Sequence, residues 1–228
     1  MNKKFLSVGK KRIITHRGLD PDQKNFFSES SYEAFEDQLK RGFGGIEFDP
    51  NPTRDGIVVY HDATLDRPTH GKDRRSFSEV ITSEVKEVRL DRGGIPTLQE
   101  VLNLIRKYPG DMNAMHLKAR CQTPDILDRI FETLSFYPDI LHKLIIFDVK
   151  SETARYLKQK NSKLRLAPSV ADNYDIERFN AAVGGTLLSI NQVLQLKAEG
   201  VIDGVWGDEW DRKGKNGGDK QFYTKENF

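Results

Sequence analysis

Short β-rich runs alternate with longer amphipathic runs along most of this chain, and that alternation limits the fold more than any other feature. The strand candidates are Arg12 to Thr15, Gly45 to Asp49, Ile57 to Tyr60, Met115 to Lys118, Leu144 to Phe147, Leu164 to Ala167, Leu187 to Ile190 and Gly204 to Trp206. Helical patterns fall between many of them: Ser31 to Arg41, Leu98 to Tyr108, Asp125 to Phe136, Ser151 to Gln159, Tyr174 to Ala182 and Gln192 to Glu199. Leu98, Val101, Leu102 and Ile105 carry the i, i+3, i+4, i+7 spacing of a half-buried helix. Thr97 and Glu100 form a capping box that fixes where it starts. Strands alternating with helices imply an α/β fold with a largely parallel sheet. Eight strand candidates in 228 residues predict a distorted (β/α)8 TIM-type barrel as a single domain over residues 1–228.

Two stretches depart from a regular barrel. Thr53-Arg54-Asp55-Gly56 is a tight turn, too short for a parallel crossover, so the second and third strands are expected to form a hairpin. With Asp55-Gly56 as a two-residue loop, Arg54 would pair with Ile57 and His61 would lie across from Pro50. Residues from about 62 to 94 then form a charged excursion with at most one helix, around Phe77 to Val88. They are expected to be a small inserted subdomain after the third strand, over one mouth of the barrel. The tail from Arg212 to Phe228 reads as loop.

The charge balance narrows the partners. With 36 basic against 34 acidic residues, the chain lacks the basic excess of a protein that neutralises a nucleic-acid backbone. Its one cysteine, Cys121, excludes an internal disulfide and fits a reducing compartment. Charge interrupts Met1 to Arg12 before any signal-peptide core, and no stretch reaches the roughly 20 apolar residues of a transmembrane helix. A cytoplasmic protein acting on a small molecule is expected; nothing in the sequence sets an oligomeric state.

Chemistry concentrates between Ile13 and Arg67. His16-Arg17-Gly18 places an imidazole and a guanidinium where a buried strand runs out, which is where reactive groups gather in parallel sheets. In Gly45-Ile46-Glu47-Phe48-Asp49 the period of two sends Glu47 and Asp49 to one face. Two acids there repel unless a cation lies between them. A third strand ends in His61-Asp62. Singly, each of these is more often a surface pair, a solvated edge or a local turn. Their conjunction in this order is far more specific.

That conjunction resembles the glycerophosphodiester phosphodiesterase family. The resemblance rests on His16-Arg17-Gly18, Glu29 to Phe35, Glu47-Phe48-Asp49, Thr53 to Arg67 and Ile95 to Leu102, and it is faint again from Val201 to Asp208. It implies a distorted barrel that hydrolyses a small phosphodiester of glycerol with one divalent cation, whether magnesium, calcium or manganese. By it His16 and His61 are the acid–base pair, Glu47 and Asp49 bind metal, Arg17 and Lys118 face the phosphate, and Glu29 is a further site candidate. The family's Glu-x-Lys strand is His116-Leu117-Lys118 here, so an imidazole stands where the third carboxylate ligand is usual. His116 as ligand would favour manganese or zinc over calcium, and His116→Glu would restore the harder ions. Two residues apart on one strand, His116 and Lys118 should face the same side. Two other readings compete: a degenerate barrel that binds a phosphoryl ligand without turnover, and a lyase-type relative that cyclises a lysophospholipid or sphingolipid phosphodiester. Retention of both imidazoles argues against the first, and the lack of an apolar membrane-docking segment against the second.

Overall fold

The computed structural model describes residues 13–19, 26–170, 176–208 and 220–224, and Arg12, Tyr174 and most of the tail therefore lie outside the described residues. The chain divides into two compact units, residues 1–115 with 128–144 and residues 116–127 with 145–228. Among the described residues no helix is long and apolar enough to cross a membrane.

In the first unit, β1 (Ile14–His16) pairs in parallel with β2 (Gly45–Phe48), setting His16 opposite Glu47. Helix α1 (Tyr32–Lys40) makes the crossover between them, capped by the Ser31 hydroxyl, which accepts from the Ala34 N–H at 3.0 Å. Strand β7 (Asn113–His116) extends the ladder in parallel, with Glu47 opposite Ala114 and Phe48 opposite Met115. Buried Asn113 locks that register: its side-chain oxygen accepts from Ile46 N–H at 3.2 Å and its amide donates to the Gly110 and Lys143 carbonyls. At Gly45 a Cβ would meet the Met112 carbonyl oxygen at 2.3 Å, so only glycine admits this approach. The helix expected after Thr97 forms as Leu98–Lys107, with Leu98, Val101, Leu102 and Ile105 buried and both arms of the Thr97–Glu100 capping box made.

The expected hairpin forms, but in a different register. Strands β3 (Pro50–Pro52) and β4 (Ile57–Val59) pair Pro50 with Val59 and Pro52 with Ile57. The two-residue loop is therefore Arg54-Asp55, closed by Thr53 N–H donating to the Gly56 carbonyl at 2.9 Å. Asp55 selects this turn: its carboxylate accepts from the Thr82 N–H at 2.7 Å and hydroxyl at 2.8 Å, and from the Thr53 hydroxyl at 3.2 Å. His61 thus moves from its expected place across from Pro50, and Tyr60 N–H donates to the Asp49 carbonyl at 3.0 Å. Residues 62–94 hold only short elements, a 3-10 turn at Phe77–Glu79, a helix at Thr82–Glu87 and the antiparallel pair β5 (Arg89–Leu90) and β6 (Gly93–Gly94). Leu65, Phe77, Val80 and Val85 form a small hydrophobic cluster with Val58, Tyr60 and Ile95, anchoring this stretch on the hairpin.

In the second unit, β8 (Leu144–Phe147) pairs in parallel with β9 (Arg165–Ala167) across helix Ser151–Lys160. Strand β10 (Ser169–Val170) pairs in parallel with β11 (Gly204–Asp208). Two expectations change here. The strand expected at Leu187 to Ile190 reduces to one bridge between Val170 and Leu188, because Ser189 and Gln192 form a capping box that starts a helix at Ile190. The tail expected as loop contains β12 (Lys220–Thr224), antiparallel to β11. Its glycine- and lysine-rich approach hid a run whose Phe222, Tyr223 and Thr224 suit a strand.

Candidate active site

In the first unit the expected residues collect at strand ends. His16 closes β1, and its Nε2 lies 3.8 Å from Glu47 Oε2. Arg17 and Gly18 follow with φ of 56° and 71°, so the chain reverses through two left-handed residues. A Cβ on Gly18 would meet the Ala34 Cβ at 3.0 Å, which explains the glycine. The cost of holding Arg17 there is met by hydrogen bonds: its N–H is shared between the Glu47 carbonyl and Glu47 Oε2, both at 3.1 Å, and its carbonyl accepts from Ser30 N–H at 2.8 Å. Ser30 is left-handed as well, with φ of 58°. Non-glycine residues in that region are held there only by surroundings that over-determine them, and they cluster at functional sites.

The carboxylate pair falls as the strand period requires. Asp49 is fully enclosed and Glu47 is 5% exposed, and each offers an oxygen within 4.8 Å of the other's. Glu29 sits between two arginines, with its Oε1 2.5 Å from Arg67 and 3.5 Å from Arg17. Arg67 also grips Asp62 through Nε at 2.5 Å and NH2 at 3.1 Å, and lies 5.0 Å from the centre of the Tyr60 ring. Asp62 in turn meets His61 Nδ1 at 2.7 Å. Burial acts to raise the Asp62 carboxyl, but hydrogen bonds from Arg67 and His61 outweigh it and hold the group below the usual carboxylate range. Burial pushes the Tyr60 phenol up to about 12, so it stays neutral against the guanidinium. The Arg17 Nε is enclosed without a hydrogen-bond acceptor among the described residues, leaving donor capacity beside these groups.

In the second unit His116 is the last residue of β7, and its Nε2 meets Asp148 Oδ2 at 2.5 Å. Its ring stacks on Phe147 at 4.5 Å, and Phe147 stacks on Trp206 at 4.3 Å. Lys118 lies past the strand, in the turn leading to Ala119–Cys121, with its N–H on the His116 carbonyl at 3.2 Å. The same-face expectation for His116 and Lys118 therefore does not follow from strand geometry, because the strand stops two residues short of where the sequence placed its end.

The sequence pattern gives Asp62 and Arg67 no task of their own and points to neither Asp148 nor Ser169. Asp62 was legible as the neighbour of His61. For Asp148 the only signal was its place just beyond a strand end; its partners are 32 and 21 residues away.

A family model described as the glycerophosphoryl diester phosphodiesterase family matches residues 16–201. A glycerophosphodiester phosphodiesterase of Caldanaerobacter subterraneus is 31% identical over 166 residues, covering 68% of this chain and 64% of that protein. One from Bacillus altitudinis is 30% identical over 134 residues, covering 55% of this chain and 53% of that protein. The chain thus spans 64% and 53% of the length of these two relatives. The solved structure of an Oleispira antarctica phosphodiesterase, in complex with the product sn-glycerol-3-phosphate, superposes with a TM-score of 0.57 at 19% identity, covering 85% of this chain and 82% of that one. That likeness is one of fold: the α/β, TIM-type barrel expected from the strand–helix alternation is the fold of this chain.

Proposed function

This chain belongs to the glycerophosphoryl diester phosphodiesterase family, and we propose that it hydrolyses a glycerophosphodiester, or a related small phosphodiester, to an alcohol and a phosphomonoester. The observation that carries the reading is the strand-end grouping of the first unit: His16 at 3.8 Å from Glu47, Glu47 beside Asp49, and His61 held by Asp62 where the hairpin ends. In this reading residues 1–228 act as one phosphodiesterase-like domain, and residues 62–94 are its inserted subdomain.

The donor set suits a divalent cation. Two enclosed carboxylates at this spacing call for positive charge, and oxygen donors are what hard cations take. Glu47 and Asp49 would hold the ion. By the family resemblance His116, which stands where the third carboxylate ligand is usual, would be the third ligand. When bound, the cation neutralises charge on the phosphoryl oxygens.

The remaining tasks fall to side chains. Arg17 and Lys118 supply donors to the phosphoryl oxygens. One imidazole takes a proton from the attacking water, and the other delivers a proton to the leaving alkoxide as the P–O bond breaks. Asp62 fixes His61 through Nδ1, so proton transfer by that ring falls to Nε2. The test is turnover of a panel of glycerophosphodiesters, following release of a glycerol phosphate, with and without chelator. Absence of turnover on every member with added magnesium, calcium or manganese overturns the reading.

A further inference from the structure

We propose that Asp148 is a positioning residue that fixes His116 for metal ligation, and that the two together replace the negative charge lost where an imidazole stands for a carboxylate. This inference rests on the reading of His116 as the third ligand. An ionised carboxylate only accepts hydrogen bonds, so the 2.5 Å contact assigns the proton to His116 Nε2. Ligation then falls to Nδ1. A carboxylate behind a ligating imidazole fixes the tautomer and the ring plane and raises the basicity of the other nitrogen. An imidazole backed by an aspartate carries the same total charge as a glutamate ligand. The charge sits one group further from the ion, and the donor atom becomes a nitrogen, which zinc and manganese accept more readily than calcium does.

The surroundings of Asp148 are built to hold it in place. Its φ of 63° is left-handed, a conformation aspartate tolerates better than most residues but does not prefer. Its N–H donates to the Ala167 carbonyl at 3.0 Å and its carbonyl accepts from Gln122 Nε2 at 2.8 Å. Ser169 Oγ donates to Oδ1, so each carboxylate oxygen has its own partner. The same Gln122 side chain takes the Leu117 carbonyl at 2.7 Å and the Lys150 N–H at 2.9 Å, clipping the segment after β7 to the segment after β8. Phe147 presses flat on the imidazole with an interplanar angle of 17°, which leaves the ring one plane to occupy. A His–Asp contact serving only the core would not need a left-handed aspartate with both oxygens committed.

The experiment titrates the full chain with Mn2+ alone, by calorimetry, and reads the tautomer of His116 in the metal-free protein by long-range proton–nitrogen NMR. Asp148→Asn is the informative change, because asparagine accepts the left-handed backbone and keeps an acceptor for Nε2–H while removing the charge. Its Mn2+ affinity should fall roughly ten- to hundredfold, the range seen when a partner behind a metal ligand is lost, with the metal-free melting temperature nearly unchanged. Ser169→Ala should weaken Mn2+ less, since the charge remains. Loss of Mn2+ affinity in His116→Ala with none in Asp148→Asn overturns the positioning role and leaves the ligand reading standing. Unchanged affinity in His116→Ala removes the ligand reading itself. Should the variants fail to fold, the wild-type spectrum decides: an Nε2–H tautomer supports the assignment, and an Nδ1–H tautomer overturns it.

Discussion

The segment from His16 to Arg67 and the segment from His116 to Ser169 each gather an imidazole and a carboxylate, by different means. In the first, His16 meets Glu47 and Glu29 meets Arg67 through the fold, but the other contacts follow from local rules. Glu47 and Asp49 are two apart, His61 adjoins its partner Asp62, and Arg67 reaches back five residues to Asp62. In the second, His116 meets a carboxylate 32 residues away, which a serine 21 residues further on also binds. A contact of the local kind can be read from spacing alone. One of the second kind depends on which strand ends come together, and spacing says nothing about that.

The largest effect expected concerns the first segment. His16→Ala and His61→Ala should each lower turnover by at least roughly a hundredfold, the ordinary contribution of positioned proton transfer. The fold should persist, because side chains 58% and 29% exposed leave no large cavity when shortened. Near-normal turnover in either variant would break the contrast by removing catalysis from the first segment.

Next is the carboxylate pair. At a Mn2+ concentration about 100 times its dissociation constant, binding should stabilise the native protein by about 2.7 kcal/mol, read as a rise in melting temperature. Glu47→Gln together with Asp49→Asn should abolish that rise while sparing the metal-free fold. A rise that survives the double change places the ion elsewhere.

The contact between His116 and Asp148 alters what a return to the family's usual ligand would do. A glutamate at position 116 would set a second carboxylate against Asp148, whose Oδ2 now lies 2.5 Å from the ring. Like charges so close repel, so His116→Glu alone should fail to strengthen Mg2+ binding. His116→Glu with Asp148→Asn should strengthen it by roughly tenfold, about 1.4 kcal/mol, for one added oxygen ligand. Equal Mg2+ affinities in the single and double variants would show that Asp148 does not act on this position.

Most of the fold was legible because strand and helix periods survive packing. The helix after Thr97 starts at its capping box, and the strand at Leu144–Phe147 has the bounds its apolar run gives. The hairpin register was not legible. Asp55-Gly56 is the stronger local turn signal, yet Asp55 binds Thr82, 27 residues on, and moves the loop to Arg54-Asp55. The strand at Leu187 gave way for a local reason that the capping pattern of Ser189 and Gln192 already held. His116 stood out as a departure from the family pattern, but a departure at one position does not say which distant residue it meets.

The smallest effect expected is on stability, through Asp62. Burial works against the charged carboxyl, and hydrogen bonds from Arg67 and His61 more than offset it, so its folded-state pKa lies below the ordinary aspartate value. A depressed pKa adds stability that is present above the unfolded-state value of about 3.9 and is lost as pH falls through the folded-state value. Asp62→Asn should therefore melt lower than the wild type at pH 7, by on the order of 1 kcal/mol or less, since the pair with Arg67 is partly screened by solvent. The gap should narrow below about pH 4, where the wild-type carboxylate begins to take up its proton as well. Thermal melts of both proteins at pH 7, 5 and 3 measure this, each in the absence of metal. A gap of constant size across that range would mean that Asp62 supports the hairpin end by its shape and hydrogen bonds alone, with no contribution from its charge.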